Sequence, residues 1–195
     1  MRFEIDLLET EAVSTLNQLF AIPGIEPWRR KFTSLERQLN ENGFLRDWQI
    51  EHHGIELKLF ELLDDYERTG TFPVQVRDFR HYNLYSFVAG VVRIYEQLSS
   101  AGKTRLKGML IDGLKPDNGL LAVQHEIVTA IHLVSLGFDI ELNDIENGSG
   151  VDFIARREGA ELEVECKMFT GDLGRKIHKR KVLALHNYLA EVITR

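Results

Sequence analysis

Apolar residues recur every three to four positions through the first 118 residues, which is the spacing of one face of an α-helix. Glycine and proline interrupt this spacing at Pro23-Gly24, at Gly43 and between Gly70 and Pro73. The pattern predicts helices at residues 8–20, 28–39, 54–67, 79–98 and 104–114. The stretch 79–98 is rich in aromatic residues, so we expect it to be the central helix of a helical accessory domain over residues 1–118.

The pattern changes after the turn-rich residues 115–119, which we take as a domain boundary. Residues 119–136 have one apolar stripe at helical spacing, which predicts a helix. Asp117 and Asn118 are typical N-cap residues for it, and Gly137 is typical of the position after a helix ends. A strand at residues 138–142 should follow.

Two short runs of alternating polarity flank Glu158-Gly159 within residues 149–168, a pattern typical of a β-hairpin. A two-residue loop would pair Arg157 with Ala160, and counting along both strands then places Asp152 opposite Glu165. Side chains alternate along a strand, so apolar and charged residues of the second strand take opposite faces. One face has Leu162, Val164, Cys166 and Met168, and the other has Glu161, Glu163, Glu165 and Lys167.

The opposed carboxylates of Asp152 and Glu165 are the main candidates for a functional site. Directly opposed residues have Cβ atoms roughly 4.5–5.5 Å apart, so these two negative charges should repel. A raised pKa, the nearby ammonium of Lys167, or a bound divalent cation would offset the repulsion. We favour a functional interpretation for these three residues, whereas Glu161 and Glu163 read as a solvated charged face.

Asp152, followed by Glu165-Cys166-Lys167, resembles the active-site signature of the PD-(D/E)xK nuclease superfamily, which has the restriction-endonuclease-like fold. In that family an acid on one strand and an acid-x-lysine on the next hold a divalent metal. Many members add a glutamate from the preceding helix, and Glu126 matches it. One departure is that Gly150-Val151, and not proline, precedes Asp152.

The resemblance covers residues 119–195 and implies an αβββα core with a mixed sheet, so the expected fold class is α+β. The family core normally has a fourth strand after its last helix. Here the helical pattern continues to Arg195, so we expect that strand to be lacking. Either the chain is truncated or the sheet is completed differently.

The ligands expected for Mg²⁺ (or Mn²⁺) are Asp152, Glu165 and the backbone carbonyl of Cys166, with Glu126 binding directly or through water. Lys167 would orient the attacking water and neutralise charge. The expected catalytic residues are therefore Glu126, Asp152, Glu165 and Lys167. The Cys166 side chain points to the opposite face and should pack in the core.

A basic run at residues 175–181 opens the last predicted helix and contains no acid. Arg175, Lys176 and Lys179 are the residues we expect to contact nucleic-acid phosphates. The alternative interpretation is a solvated helix face.

Composition excludes several classes of protein. The net charge of −6 does not fit a basic nucleic-acid coat, and the single cysteine excludes an intrachain disulfide. The acidic N-terminus does not resemble a signal peptide, and no apolar stretch reaches bilayer length. We therefore expect a cytoplasmic protein without a membrane partner.

Two features of the first half are weaker candidates. The pair His52-His53 could bind metal, but no second ligand cluster accompanies it, so we expect surface histidines. Tyrosines with nearby arginines could stack on bases, although aromatic residues at helical spacing are more often core. These residues are Tyr82, Tyr85 and Tyr95, with Arg80 and Arg93.

The sequence thus predicts a Mg²⁺-dependent nuclease that hydrolyses phosphodiester bonds, with DNA endonuclease as the expected activity. The alternative is a catalytically inactive nucleic-acid-binding or scaffold protein with a nuclease-like fold. A protein-interaction module, in which the acidic strand is only surface, is a third reading. A homodimer is one oligomeric state compatible with the sequence.

Overall fold

The computed structural model describes residues 11–41, 43, 46–70, 79–116, 118–148, 150–167, 184 and 188. Over these residues the chain is α+β and mostly helical, with one small sheet. The helices are α1 (Ala12–Ala21), α2 (Ile25–Glu41), α3 (Arg46–His52), α4 (Gly54–Thr69), α5 (Phe79–Gln97), α6 (Ser100–Gly113), α7 (Leu121–Ser135) and α8 (Asn143–Asn147). The strands are β1 (Asp139–Glu141), β2 (Phe153–Arg157) and β3 (Ala160–Val164).

Apolar periodicity located most helices of the first half. The helix α6 begins earlier than predicted because Ser99 caps it, its hydroxyl accepting the N–H of Gly102 at 3.1 Å. The helix α3 was not predicted, because it is short and its buried residue is the polar Gln49. No described helix combines the length and the apolar character needed to cross a bilayer.

One hydrophobic cluster extends from Leu16 in α1 to Phe153 and Ala155 in β2, so both predicted domains contribute to the same core. The helix α5 is central to it, as expected, with Phe87, Val91 and Ile94 completely buried. At Gly90 the two halves approach closely: a Cβ there would lie 2.1 Å from Cδ1 of Ile131 in α7. The absence of a side chain at Gly90 therefore lets α7 pack directly against α5.

The three described strands form an antiparallel sheet in the order β1-β2-β3. We expected a mixed sheet, and for the described strands that is wrong. The connection from β1 to β2 contains only the short helix α8, and parallel neighbours need a crossover of about a dozen residues or more. A fourth strand would fall on residues after Lys167, most of which lie outside the described residues.

The hairpin of β2 and β3 has the predicted loop. Glu158 and Gly159 have φ values of 51° and 82°, as a type I′ turn requires, and Arg157 pairs with Ala160. The ladder ends at the pair Phe153–Val164, so the predicted strand pairing of Asp152 with Glu165 is not formed. Beyond the last pair, the Asp152 carboxylate instead accepts the backbone N–H of Cys166, at 2.5 Å from Oδ2.

The start of α7 differs from the prediction. Asn118 does not cap the helix, because its side-chain amide donates to the Asp112 carbonyl at 3.0 Å. Asp117, the other predicted cap, lies outside the described residues. The carboxylate of Glu56 in α4 accepts the N–H of Leu120, the residue before α7, at 3.0 Å. At the other end Gly137 has a φ of 86°, which confirms it as the residue that ends the helix.

Candidate functional site

The predicted catalytic residues of the hairpin lie where β2 and β3 end. Asp152 is half-buried, one residue before β2, and its carboxylate bonds the backbone of Cys166, two residues after β3. The ammonium of Lys167 contacts a carboxylate oxygen of Glu165, with 69% and 43% of the two side chains exposed. Two acids and a lysine thus occupy one end of the hairpin, opposite its turn.

Helix α7 brings Glu126 into the same electrostatic environment. Burial, followed by the negative charges of Asp152, Asp144 and Glu165, raises the pKa of Glu126 from 4.5 to about 7. The positive charge of Lys167 acts in the opposite direction. Glu126 is partly buried on α7, between the buried Val123 and Ala130 one turn to either side. We call Glu126, Asp152, Glu165 and Lys167 the acidic site.

Asp144 is an acidic neighbour that the sequence reasoning missed. It lies in the first turn of α8, and its backbone N–H donates to the Asp152 carbonyl at 3.3 Å. A carbon at Gly150 would lie 2.5 Å from Nδ2 of Asn143, so this glycine allows the chain to fold back over α8. The pair Asn143-Asp144 is a usable helix-start signal, but α8 is too short to give an apolar period.

The surroundings of Lys167 favour the protonated form of its side chain. Its hydrogen bond to Glu165 raises the pKa of the ammonium, and the charge of Glu165 and the more distant charges of Asp152 and Glu126 act in the same direction. Lys167 therefore stays protonated and is the cation facing these three carboxylates.

Cys166 packs against the hydrophobic core, as predicted. Burial raises the pKa of its thiol to about 11, and the charges of Asp152 and Glu126 also raise it, while a hydrogen bond with Thr129 lowers it. A thiol with this pKa remains protonated at neutral pH, so it lacks the thiolate that a nucleophilic cysteine needs.

The donor atoms of the acidic site are hard oxygens, which suit Mg²⁺ or Mn²⁺ in type. Within the described residues, however, no three acidic, histidine or cysteine side chains are arranged as a ready set of metal ligands. Two of the candidate ligands already have partners, since one oxygen of Asp152 accepts the Cys166 N–H and Glu165 contacts Lys167. Binding a metal would require Glu165 to exchange that contact for a ligand bond.

The predicted phosphate contacts Arg175, Lys176 and Lys179 lie outside the described residues. Their position relative to the acidic site therefore stays a prediction.

The weaker candidates of the first half have separate outcomes. His53 is completely buried, so the expectation of two surface histidines is wrong for it, and its Nδ1 lies 3.3 Å from Oε1 of Glu56. Tyr85 is buried in α5, which agrees with the core interpretation, and burial raises its pKa. The ring of Tyr95 faces the ammonium of Lys103, 5.7 Å from the ring centroid.

Comparisons of the chain with models of known families, with curated proteins and with solved structures found no significant match. The resemblance of residues 119–195 to the PD-(D/E)xK superfamily therefore depends on the residues of the acidic site alone.

Proposed function

We propose that this protein is a metal-dependent nuclease that hydrolyses phosphodiester bonds. The observation that carries the proposal is the meeting of Asp152 with Glu165-Cys166-Lys167 at one end of a hairpin, beside Glu126 on α7. Like charges held together at a partly buried position cost stability, so they are typical of a site that binds a cation or moves a proton.

Asp152, Glu165 and the backbone carbonyl of Cys166 would hold Mg²⁺ or Mn²⁺, and Glu126 would bind it directly or through water. When bound, the metal supplies positive charge for the phosphate and lowers the pKa of a coordinated water. The oxygen donors fit this group of ions, as described above.

The residues of the chain then have distinct roles. Lys167 remains protonated, so it can orient the attacking water and neutralise negative charge that develops on the phosphate. Glu126, whose pKa is about 7 in the metal-free protein, would give up its proton when it binds the metal directly or through water, because a carboxylate ligand must be deprotonated. Asp152 and Cys166 hold the two strand ends together through their hydrogen bond, which fixes the spacing of the carboxylates.

DNA is the proposed substrate, cleaved within the strand, and the protein would act in the cytoplasm, as a monomer or a homodimer. The basic run at residues 175–181 supports a polyanionic substrate, because the chain as a whole is acidic.

A metal-dependent cleavage assay tests the proposal on supercoiled plasmid, linear duplex and single-stranded DNA, with Mg²⁺, with Mn²⁺ and with chelator. Lys167→Ala should slow cleavage about 100-fold or more while nucleic-acid affinity stays within a few-fold, because Lys167 acts mainly in the transition state. Asp152→Ala should abolish cleavage. The matched control is Glu163→Gln, which removes an exposed acid from β3 outside the acidic site.

The result that contradicts the proposal is binding without cleavage on every substrate. That result would favour the alternative, a catalytically inactive nucleic-acid-binding or scaffold protein. A protein that neither binds nor cleaves nucleic acid would favour an interaction module.

A further inference from the structure

Three titratable side chains lie completely buried in the helical half, far along the chain from the acidic site. Lys31 projects from α2, Glu56 lies in the first turn of α4, and His53 precedes α4. The Lys31 and Glu56 side chains are both 0% exposed, with 3.9 Å between Nζ and Oε1. We call Lys31, His53 and Glu56 the buried charge cluster.

The buried charge cluster binds the backbone that leads into α7. The ammonium of Lys31 donates to the carbonyl of Lys115 at 3.0 Å and also to the carbonyl of Asn118. Oxygen Oε1 of Glu56 accepts the N–H of Leu120 at 3.0 Å. The positive side chain of Lys31 thus donates to two carbonyls of this turn, and the negative side chain of Glu56 accepts an N–H of the same turn.

The turn also fits closely against the histidines. A Cβ at Gly119 would lie 2.9 Å from the His52 carbonyl oxygen and 3.3 Å from Nδ1 of His53. Only glycine leaves room for this approach, which brings the turn against the backbone of His52 and the ring of His53. Since α7 starts at Leu121, the position of its first turn is set from the helical half.

We propose that Lys31 and Glu56 are positioning residues for Glu126, an inference that rests on the proposed function. Glu126 lies five residues after the start of α7, about 7.5 Å along the helix axis. The helix α7 is a rigid connection over this distance, so a shift of its first turn moves the Glu126 carboxylate relative to Asp152. A displacement of about 1 Å at a catalytic group can cost about 100-fold in rate.

The first test is hydrogen exchange of the amides at residues 120–127 in Glu56→Gln, which keeps the shape but leaves the Lys31 charge unpaired. Exchange should become about tenfold faster, the factor expected when one buried hydrogen bond is weakened. The matched control is Lys58→Met/Glu61→Gln, which removes an exposed ion pair from the same helix α4 and should leave this exchange unchanged. Unchanged exchange in Glu56→Gln would overturn the inference.

If Glu56→Gln does not fold, Lys31→Met/Glu56→Gln replaces it, because removing both charges leaves no buried charge unpaired. The carbonyls of Lys115 and Asn118 still lose their donor in this variant. Exchange at residues 120–127 should therefore still be faster than in the wild type.

The second test asks whether the effect passes through Glu126. Glu56→Gln should slow metal-dependent cleavage about tenfold in the wild-type background and less than about twofold in Glu126→Gln, since coupled residues are not additive. Equal slowing in both backgrounds would reduce the buried charge cluster to a general structural role and overturn the inference. A wild-type protein without metal-dependent cleavage would overturn the proposed function. Faster hydrogen exchange in the Glu56→Gln variant would still support the conclusion that the buried charge cluster fixes the first turn of α7.

Discussion

Lys31 and Lys167 each lie beside a glutamate, yet their surroundings differ in every other respect. Lys31 is completely buried and donates to backbone carbonyls as well as facing Glu56. Lys167 is 69% exposed, and the other charges that act on it come from the carboxylates of the acidic site. In the buried charge cluster, backbone groups and an opposite charge face Lys31 and Oε1 of Glu56, while Oε2 of Glu56 is buried without a hydrogen-bond partner among the described residues. In the acidic site, one cation faces three carboxyl groups, of which Glu126 holds its proton up to about pH 7.

The difference separates a structural use of charge from a functional one. Buried charges are tolerated when opposite charges and hydrogen bonds surround them, and removing one partner is then very costly. In the acidic site, burial and then the neighbouring negative charges raise the pKa of Glu126, so its charged form is disfavoured there. Such local conflict is expected where a protein binds a cation or performs chemistry.

The largest expected effect is the difference in the free energy of unfolding between a variant that lacks Lys31 and one that lacks Lys167. Lys31→Met should lower the free energy of unfolding by about 3–5 kcal/mol, because it leaves the Glu56 charge buried without its cation. Lys167→Met should leave the free energy of unfolding nearly unchanged, because the side chain is mostly exposed. Chemical denaturation at neutral pH measures both values. Equal losses would erase the distinction between the two regions.

A second prediction asks whether packing also holds α7 against the helical half. Gly90→Ala should destabilise the protein by about 1–3 kcal/mol, since the added carbon would collide with Ile131. Gly108→Ala in α6 is the matched control, where nothing lies within 4 Å of the added carbon, and it should stabilise by about 0.4–1 kcal/mol. Thermal or denaturant unfolding of the two variants gives the comparison. A neutral Gly90→Ala would leave the buried charge cluster as the main link to α7.

The smallest effect concerns pH. Glu126 holds a proton up to about pH 7 in the folded protein but only below about pH 4.5 when unfolded. Its contribution to stability is therefore complete below pH 4.5 and is lost as the pH rises through 7. Glu126→Gln should gain about 1 kcal/mol relative to wild type between pH 5 and pH 8, a value reduced for solvent screening of this half-exposed side chain.

Denaturant unfolding at several pH values measures this slope, with Glu163→Gln as the control for loss of an acid elsewhere on the hairpin. A difference between Glu126→Gln and wild type that stays constant from pH 5 to pH 8 would contradict the assignment of the acidic site as electrostatically strained.

Local patterns in the sequence predicted the local features of the fold. Helical spacing located α2, α4 and α5, and Glu158-Gly159 gave both the turn and the register of the hairpin. These features depend on neighbouring residues, so a single sequence contains enough information for them. The register did not extend to the predicted pair of Asp152 with Glu165, because the ladder ends at Phe153–Val164 and the Asp152 carboxylate accepts the N–H of Cys166 instead.

Features that depend on distant partners could not be predicted in this way. The cap of α7 comes from Glu56, and no local pattern connects that residue to Leu120. Lysine is rarely buried and histidine is intermediate, so the residue types of Lys31 and His53 did not predict their burial. Asp144 reaches the acidic site only because α8 folds back beside Asp152.

The link between Glu56 and Leu120 has a consequence for synthesis on the ribosome. Chains emerge from the N-terminus, at about 5–20 residues per second, and domains usually fold as they appear. Here the helices that contain Lys31 and Glu56 emerge well before the turn at residues 115–120 that satisfies their charges. Until Leu120 has left the exit tunnel, closing the first helices would bury Lys31 and Glu56 without their hydrogen bonds to the backbone of this turn. The nascent helical half should therefore stay open and protease-sensitive until α7 emerges, and the two halves should fold together.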